Sequence, residues 1–251
     1  MKCVTAGGDG TFKHYDGDKE DLAGGIFFQG KKTVTFSAYY PFTGAEEYKP
    51  GIDQDGKISN ITSLQLTGQN KIDYLYADGI TTTYTTPVIS FNGDATKFKH
   101  KMSRLKLVLE TPVNDGFSAT DVASGTYVLG GLKHEGTFDT TTGTAEAAST
   151  ATAVSDWSVS ANCPYADANN RRTYTMILYP QTVDGALPFT ATISGQGYKN
   201  TTDIKFENNK LLSGNSYTFT ITIKKDRLEV SGCTIENWNA ATDVKGDATM
   251  Q

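Results

Sequence analysis

The chain has 251 residues and a formal net charge of −5, spread along its length. That length suits one large domain or two small ones with a substantial core. The mild negative charge, with no basic stripe studded with aromatics, argues against nucleic acid as a partner. Apolar residues make up 37%, low but above the disordered range, and no apolar run approaches the ~20 residues of a membrane-spanning helix. The 25 glycines, 13 tyrosines and 12 phenylalanines fit strands joined by turns. So do threonine runs such as Thr81-Thr82-Thr83 and Thr140-Thr141-Thr142, because a β-branched side chain suits a half-solvated strand face better than a helix.

The opening MKCVTAGGDG carries no apolar stretch of the kind a signal peptide needs, and only Met1 and Lys2 precede Cys3, with no lipobox. The expectation is a cytosolic chain, or one written without its export segment. Residues 1–30 are glycine-rich and polar, with one aromatic run at Ile26-Phe27-Phe28. Val34, Phe36, Ala38 and Tyr40 then share one strand face, and Pro41 ends the ladder because it has no N–H to donate. Residues 44–50 read as a loop, Asp53-Gln54-Asp55-Gly56 as a turn and 61–66 as a short strand. Residues 72–77, IDYLYA, open an aromatic-rich strand, and 87–91 form a last strand before the turn Asn92-Gly93-Asp94.

From residue 98 the pattern sharpens. Leu105, Leu107 and Leu109 point one way, Arg104, Lys106 and Glu110 the other, with Val108 the exception. Alternation of this kind demands a strand with one face in a core and one in water. Tyr127, Val128, Leu129 and Leu132 follow between glycines. Residues 140–150 read as an exposed hairpin or loop, and 157–159 as a short strand. After Arg171-Arg172, residues 174–180 are apolar on both faces, as in a strand inside a sheet. Phe189, Ala191 and Ile193 alternate with threonines, as do Tyr217, Phe219, Ile221 and Ile223. Leu228, Val230 and Ile235 lead to Trp238, with a bulge or bend expected at Gly232. Many short strands and no helical βαβ alternation predict an all-β sandwich fold. Leu105, Leu107, Leu109, Tyr217, Phe219, Ile221 and Trp238 are its expected second-domain core.

Motifs for chemistry are scarce. Asp53-Gln54-Asp55-Gly56 resembles the start of a calcium loop, but Lys57 and Leu64 stand where an oxygen ligand and the bidentate Glu are needed, so it reads as a hairpin turn. His14, His100 and His134 share no ligand spacing, and no metal or other cofactor is expected. There is no Gly-x-Ser-x-Gly elbow, and Ala6-Gly7-Gly8-Asp9-Gly10 opens no helix that could hold a phosphate. The pairs Glu46-Glu47 and Glu20-Asp21 lie in polar loops, and the reading is non-enzymatic; carboxylates brought together in space are the arrangement a glycosidase would need. Of three cysteines, Cys3, Cys163 and Cys233, at least one is unpaired. Cys163 and Cys233 could bridge, or could both be small half-buried thiols.

Several stretches resemble a known family in order and spacing. They are VTFSAYYPF (34–42), DYLYA (73–77), FKHKMSRLKLVL (98–109), GTYVLGGL (125–132), GTFDTTTG (136–143), YPQ (179–181) and GNSYTFTITIKKDRLEVSGCTIENW (214–238). Together they are similar to fimbrillin-like proteins, surface proteins of Bacteroides-type bacteria related to subunits of type V pili. The resemblance implies two tandem transthyretin-like, Greek-key β-sandwich domains, here residues 1–97 and 98–251. The first would lack its initial strands, since only about 33 residues precede Val34. It implies export as a lipoprotein, attachment to the outer membrane through a lipid anchor not present in this chain, and a place at the cell surface in a fimbrium. It implies other pilus subunits as partners, joined by strand exchange in a stalk, tip or anchor role. No Arg precedes Arg104, so the family's processing site does not carry over. In the tail, Ala240, Val244, Ala248 and Met250 would line one face of a weak donor strand. A second reading is a surface glycan-binding module, with Tyr39, Tyr40 and Tyr48 facing host or bacterial glycans or proteins.

Overall fold

A computed structural model describes residues 33–41, 55–86, 89–91, 93–112, 116–168, 170–200 and 203–239. It also gives the backbone of short strands at Cys3–Val4, Lys13–Asp16, Lys19–Asp21, Gly44–Ala45 and Lys49–Pro50. At the centre lies the strand Ser103–Glu110, whose residues alternate between buried and half-buried along its whole length. Leu105, Leu107 and Leu109 are fully buried, while Val108 shares the half-exposed face with Arg104 and Lys106.

This strand is the middle member of a five-stranded sheet ordered Tyr165–Ala168, Arg171–Leu178, Ser103–Glu110, Asn215–Ile223, Leu228–Asn237. It pairs antiparallel with Arg171–Leu178 and parallel with Asn215–Ile223. The parallel register sets Leu105 beside Tyr217, Leu107 beside Phe219 and Leu109 beside Ile221. Residues directly opposite in a ladder share a face, so this apolar row presents one continuous surface. A second, four-stranded sheet covers it, ordered Trp157–Ser158, Thr126–Leu129, Phe189–Ile193, Gln196–Lys199. Tyr127, Leu129, Phe189, Ala191 and Ile193 from that sheet join the leucines in one buried cluster. Two facing sheets around one core make this part of the chain a β-sandwich. The sheets meet at one corner, where Asn200 bridges to Leu228.

A smaller cluster forms next to it from Ile58, Ile72, Tyr74, Tyr76, Met102, Phe138, Ala145, Ile177 and Tyr179. Tyr74 stacks flat on Phe138, with ring centroids 4.5 Å apart and 1° between planes. The strand Lys57–Ile61 pairs antiparallel with Glu135–Asp139, so hydrogen-bonded pairing joins chain on either side of residue 97. Thr33–Tyr40, Leu75–Thr83 and Lys99–His100 form a further three-stranded sheet.

Three local expectations change. Residues 61–66 do not form a strand of their own: Lys57–Ile61 is the strand, and a helix, α1, runs from Gln65 to Ile72. Its side chains explain it. Gln65, only 1% exposed, accepts from the Ile177 N–H (2.8 Å) and donates to the Ile177 carbonyl (2.7 Å), as a strand neighbour would. Gln69 donates to the Thr175 carbonyl. Within 140–150 the hairpin is present, Thr144–Ala147 pairing with Glu135–Asp139, but it is not exposed throughout, since Ala145 faces the smaller core. Residues 89–91 are not in a strand; Phe91 packs on Phe98 instead, at 5.5 Å. The expected irregularity at Gly232 is present. Phe219 pairs with Cys233 and Ile221 with Val230, so one residue, Phe219 to Ile221 being two steps against three, is extra on the outer strand.

Candidate functional site

The sequence carries no catalytic motif, and a strand edge is the part of the fold most open to a partner. The edge strand Leu228–Asn237 has two unlike halves. Leu228 and Val230 are buried, and Leu228 is tied to the second sheet through Asn200. Beyond the bulge, residues 231–237 are exposed throughout except for half-buried Cys233. Cys233 and Ile235 stand opposite Phe219 and Tyr217 and therefore on the core-facing side, yet Ile235 is 40% exposed. Among the described residues no strand pairs with the outer side of Leu228–Asn237. An edge of this kind offers unpaired backbone groups and apolar side chains to an extended segment. Burial raises the Cys233 thiol to about 11, and raises that of fully buried Cys163 as well, so both stay protonated at neutral pH. Both are free thiols, which answers the question of a bridge between them.

The strand ends in a clamp. Trp238 is half-buried, and it packs against the smaller cluster rather than inside the sandwich core. Its ring stacks on His100 (3.7 Å, 9°), with the Arg104 guanidinium 4.7 Å from its centroid. The Trp238 N–H donates to Gly214. Asn239 accepts from the His100 N–H (2.5 Å) and donates to the His100 carbonyl (3.3 Å), while His100 Nδ1 lies 2.8 Å from Asp73. Trp238 and Asn239 are thus held beside Lys99–His100. Asn239 and Asp73 gave no signal in the sequence, being 139 and 27 residues from their partner.

The other sequence-derived residues are placed as follows. Leu105, Leu107, Leu109, Tyr217, Phe219 and Ile221 all belong to the larger buried cluster. Tyr39 packs against the smaller cluster, its ring 6.0 Å from Phe138, whereas neighbouring Tyr40 is exposed. Tyr48, Asp53, Gln54 and the tail residues Ala240, Val244, Ala248 and Met250 lie outside the described residues, as does the side chain of His14. Among the described residues no group of His, Cys, Asp or Glu is arranged to hold a metal ion, and no helix is long and apolar enough to cross a membrane.

Comparison with known proteins adds to this geometry. A proposed cell adhesion protein from Bacteroides ovatus ATCC 8483 superposes with a TM-score of 0.68 at 25% identity, over 91% of this chain and 76% of that one. A second, from Bacteroides uniformis ATCC 8492, superposes with a TM-score of 0.63 at 20% identity, over 82% and 73%, and bears on the fold alone. No curated protein matches. A family model described as fimbrillin-like matches residues 2–238, from the first short strand to the Trp238 clamp, and the chain therefore belongs to the fimbrillin-like family.

Proposed function

We propose that the protein is a non-enzymatic cell-surface component of type V pili or an adhesin, joined to other pilus subunits by strand addition. Membership of the fimbrillin-like family supports the fimbrial role. The observation that carries the assembly mode is the open outer half of Leu228–Asn237, where core-facing Ile235 is left 40% exposed beside unpaired backbone. A strand added there would extend the five-stranded sheet and cover Cys233 and Ile235 in one step. In this reading the two units, 1–97 and 98–251, have the transthyretin-like topology and share the smaller core. Ala240, Val244, Ala248 and Met250 form the apolar face of a donated strand, and a lipid anchor attaches the protein to the outer membrane.

The test is the molar mass of the secreted full-length gene product, by size-exclusion chromatography with light scattering, before and after limited trypsin treatment. A ladder of oligomers appearing after cleavage is the expected result for a stalk subunit. A monomer in both states overturns strand addition. The glycan-binding reading at Tyr39, Tyr40 and Tyr48 gains no comparable support, since Tyr39 is turned toward Phe138.

A further inference from the structure

Helix α1 stands where a strand would fit. Tyr165–Ala168 pairs with Arg171–Leu178 only as far as Tyr174, and the Pro164 carbonyl then takes the Thr175 N–H (3.2 Å). From Thr175 to Leu178 the outer edge of the sheet is met by side chains of α1 instead. Gln65 satisfies both backbone groups of Ile177, and Gln69 the Thr175 carbonyl. The helix thus runs antiparallel to this strand, in the direction an edge strand joined by the same bonds would take.

As a helix the segment is poor. It has eight residues, no side-chain cap at Leu64 and a glycine, Gly68, in its interior, and so short a helix is marginal in isolation. Leu64 and Leu66 are each 57% exposed. The stretch 61–66 has the sequence pattern of a strand and yet is not one beyond Ile61. A conflict of this kind between local preference and adopted form marks a segment with a competing state.

The bonds already present define that state. With Gln65 opposite Ile177 through backbone rather than side-chain bonds, Leu64 stands opposite Leu178 and Leu66 opposite Met176. Leu178 and Met176 belong to the larger buried cluster. Residues opposite one another in a ladder share a face, so both exposed leucines turn to the core side. The Thr67 N–H then takes the Thr175 carbonyl that Gln69 holds in the helix. The strand Tyr165–Ala168 limits the addition at Thr67. On the other side Thr62 and Ser63 stay anchored, Thr62 N–H on the His134 carbonyl (2.8 Å) and the Ser63 carbonyl on the Trp157 indole N–H (3.0 Å). Four residues, 64–67, lie within the usual range of strand lengths.

We infer that residues 64–67 exchange between helix α1 and a strand added to the outer edge of Thr175–Leu178. The exchange hides two leucines and moves the open side of the sheet outward by one strand. It is independent of strand addition at Leu228–Asn237.

The test is carbon-13 chemical exchange saturation transfer NMR on the full chain, observing the backbone of residues 63–69. A minor state with strand-type Cα and Cβ shifts at residues 64–67 is expected at a population of about 1% or more. Gly68→Ala favours the helix, and a Cβ there meets no atom within 4 Å, so the minor state falls about fivefold. Leu66→Ser removes an apolar side chain that is exposed in the helix and covered only in the strand, and the minor state falls about tenfold. A segment that merely unfolds would respond to Leu66→Ser in the opposite direction, because serine is the poorer helix former. Three results overturn the inference: no second state at that population, minor-state shifts at random-coil values, or a population that Leu66→Ser leaves unchanged or raises.

Discussion

At the scale of single residues, Leu107 shows what the alternating pattern is for. It is fully buried, with Tyr174 across one ladder and Phe219 across the other. Leu107→Ala leaves a cavity that close-packed neighbours fill only in part, and a loss of about 2–5 kcal/mol is expected. Urea denaturation checks it: the midpoint falls while the slope stays the same. His134 makes a different kind of contribution. It is 4% exposed, its ring lies 4.4 Å from Trp157, Nδ1 sits 3.1 Å from the Thr62 hydroxyl, and Nε2 has no partner. Burial pulls its pKa from the ordinary 6.5 down to about 4. The folded state therefore holds the neutral imidazole and binds fewer protons than the unfolded chain. The stability at stake is present in full above about pH 6.5 and is lost as pH falls toward 4, on the order of 3 kcal/mol. In a His134→Phe variant that loss is absent, so the stability gap between parent and variant shifts in the variant's favour from pH 7 to 4, read by thermal or urea unfolding.

Secondary-structure elements were legible where one face alone decides them. Ser103–Glu110 and Asn215–Ile223 alternate cleanly because one side meets the core and the other water. The bulge at Gly232 was visible because glycine interrupts an otherwise regular strand. Helix α1 was not visible. Its sequence, QLTGQNKI, has no apolar stripe and no side-chain cap at Leu64. What holds it are hydrogen bonds between the side-chain amides of Gln65 and Gln69 and the backbone of Ile177 and Thr175, more than a hundred residues away. The open half of Leu228–Asn237 was equally silent, because sequence gives a strand's face but not its neighbour. A prediction belongs to this scale. Ile235→Lys places a charge on the core-facing side of the open edge, a device that blocks strand pairing. As Ile235 is partly exposed, stability should change by no more than about 0.5 kcal/mol, while any trypsin-triggered oligomer ladder disappears.

For the whole molecule, the two clusters are unequal in how they draw on the chain. The larger is built from residues 105–230, the smaller from Ile58, Ile72, Tyr74 and Tyr76 on one side of residue 97 and Met102, Phe138, Ala145, Ile177 and Tyr179 on the other. A fragment of residues 98–251 would keep the first cluster but uncover Phe138, Tyr179 and the unpaired edge of Glu135–Asp139. It is expected to melt below the full chain and to self-associate, as scanning calorimetry and light scattering would register. The family motifs ran across this division without revealing it, since motif order records sequence and not which half buries which ring. The two tryptophans divide between the same two clusters, Trp157 in the larger and Trp238 against the smaller, and each lies on an imidazole, His134 and His100. The molecule thus carries two optical reporters, one for each core. In a Trp238→Phe variant the emission of Trp157 would follow the larger core alone during urea unfolding, and in a Trp157→Phe variant that of Trp238 would follow the smaller, so the two can be timed separately in one protein.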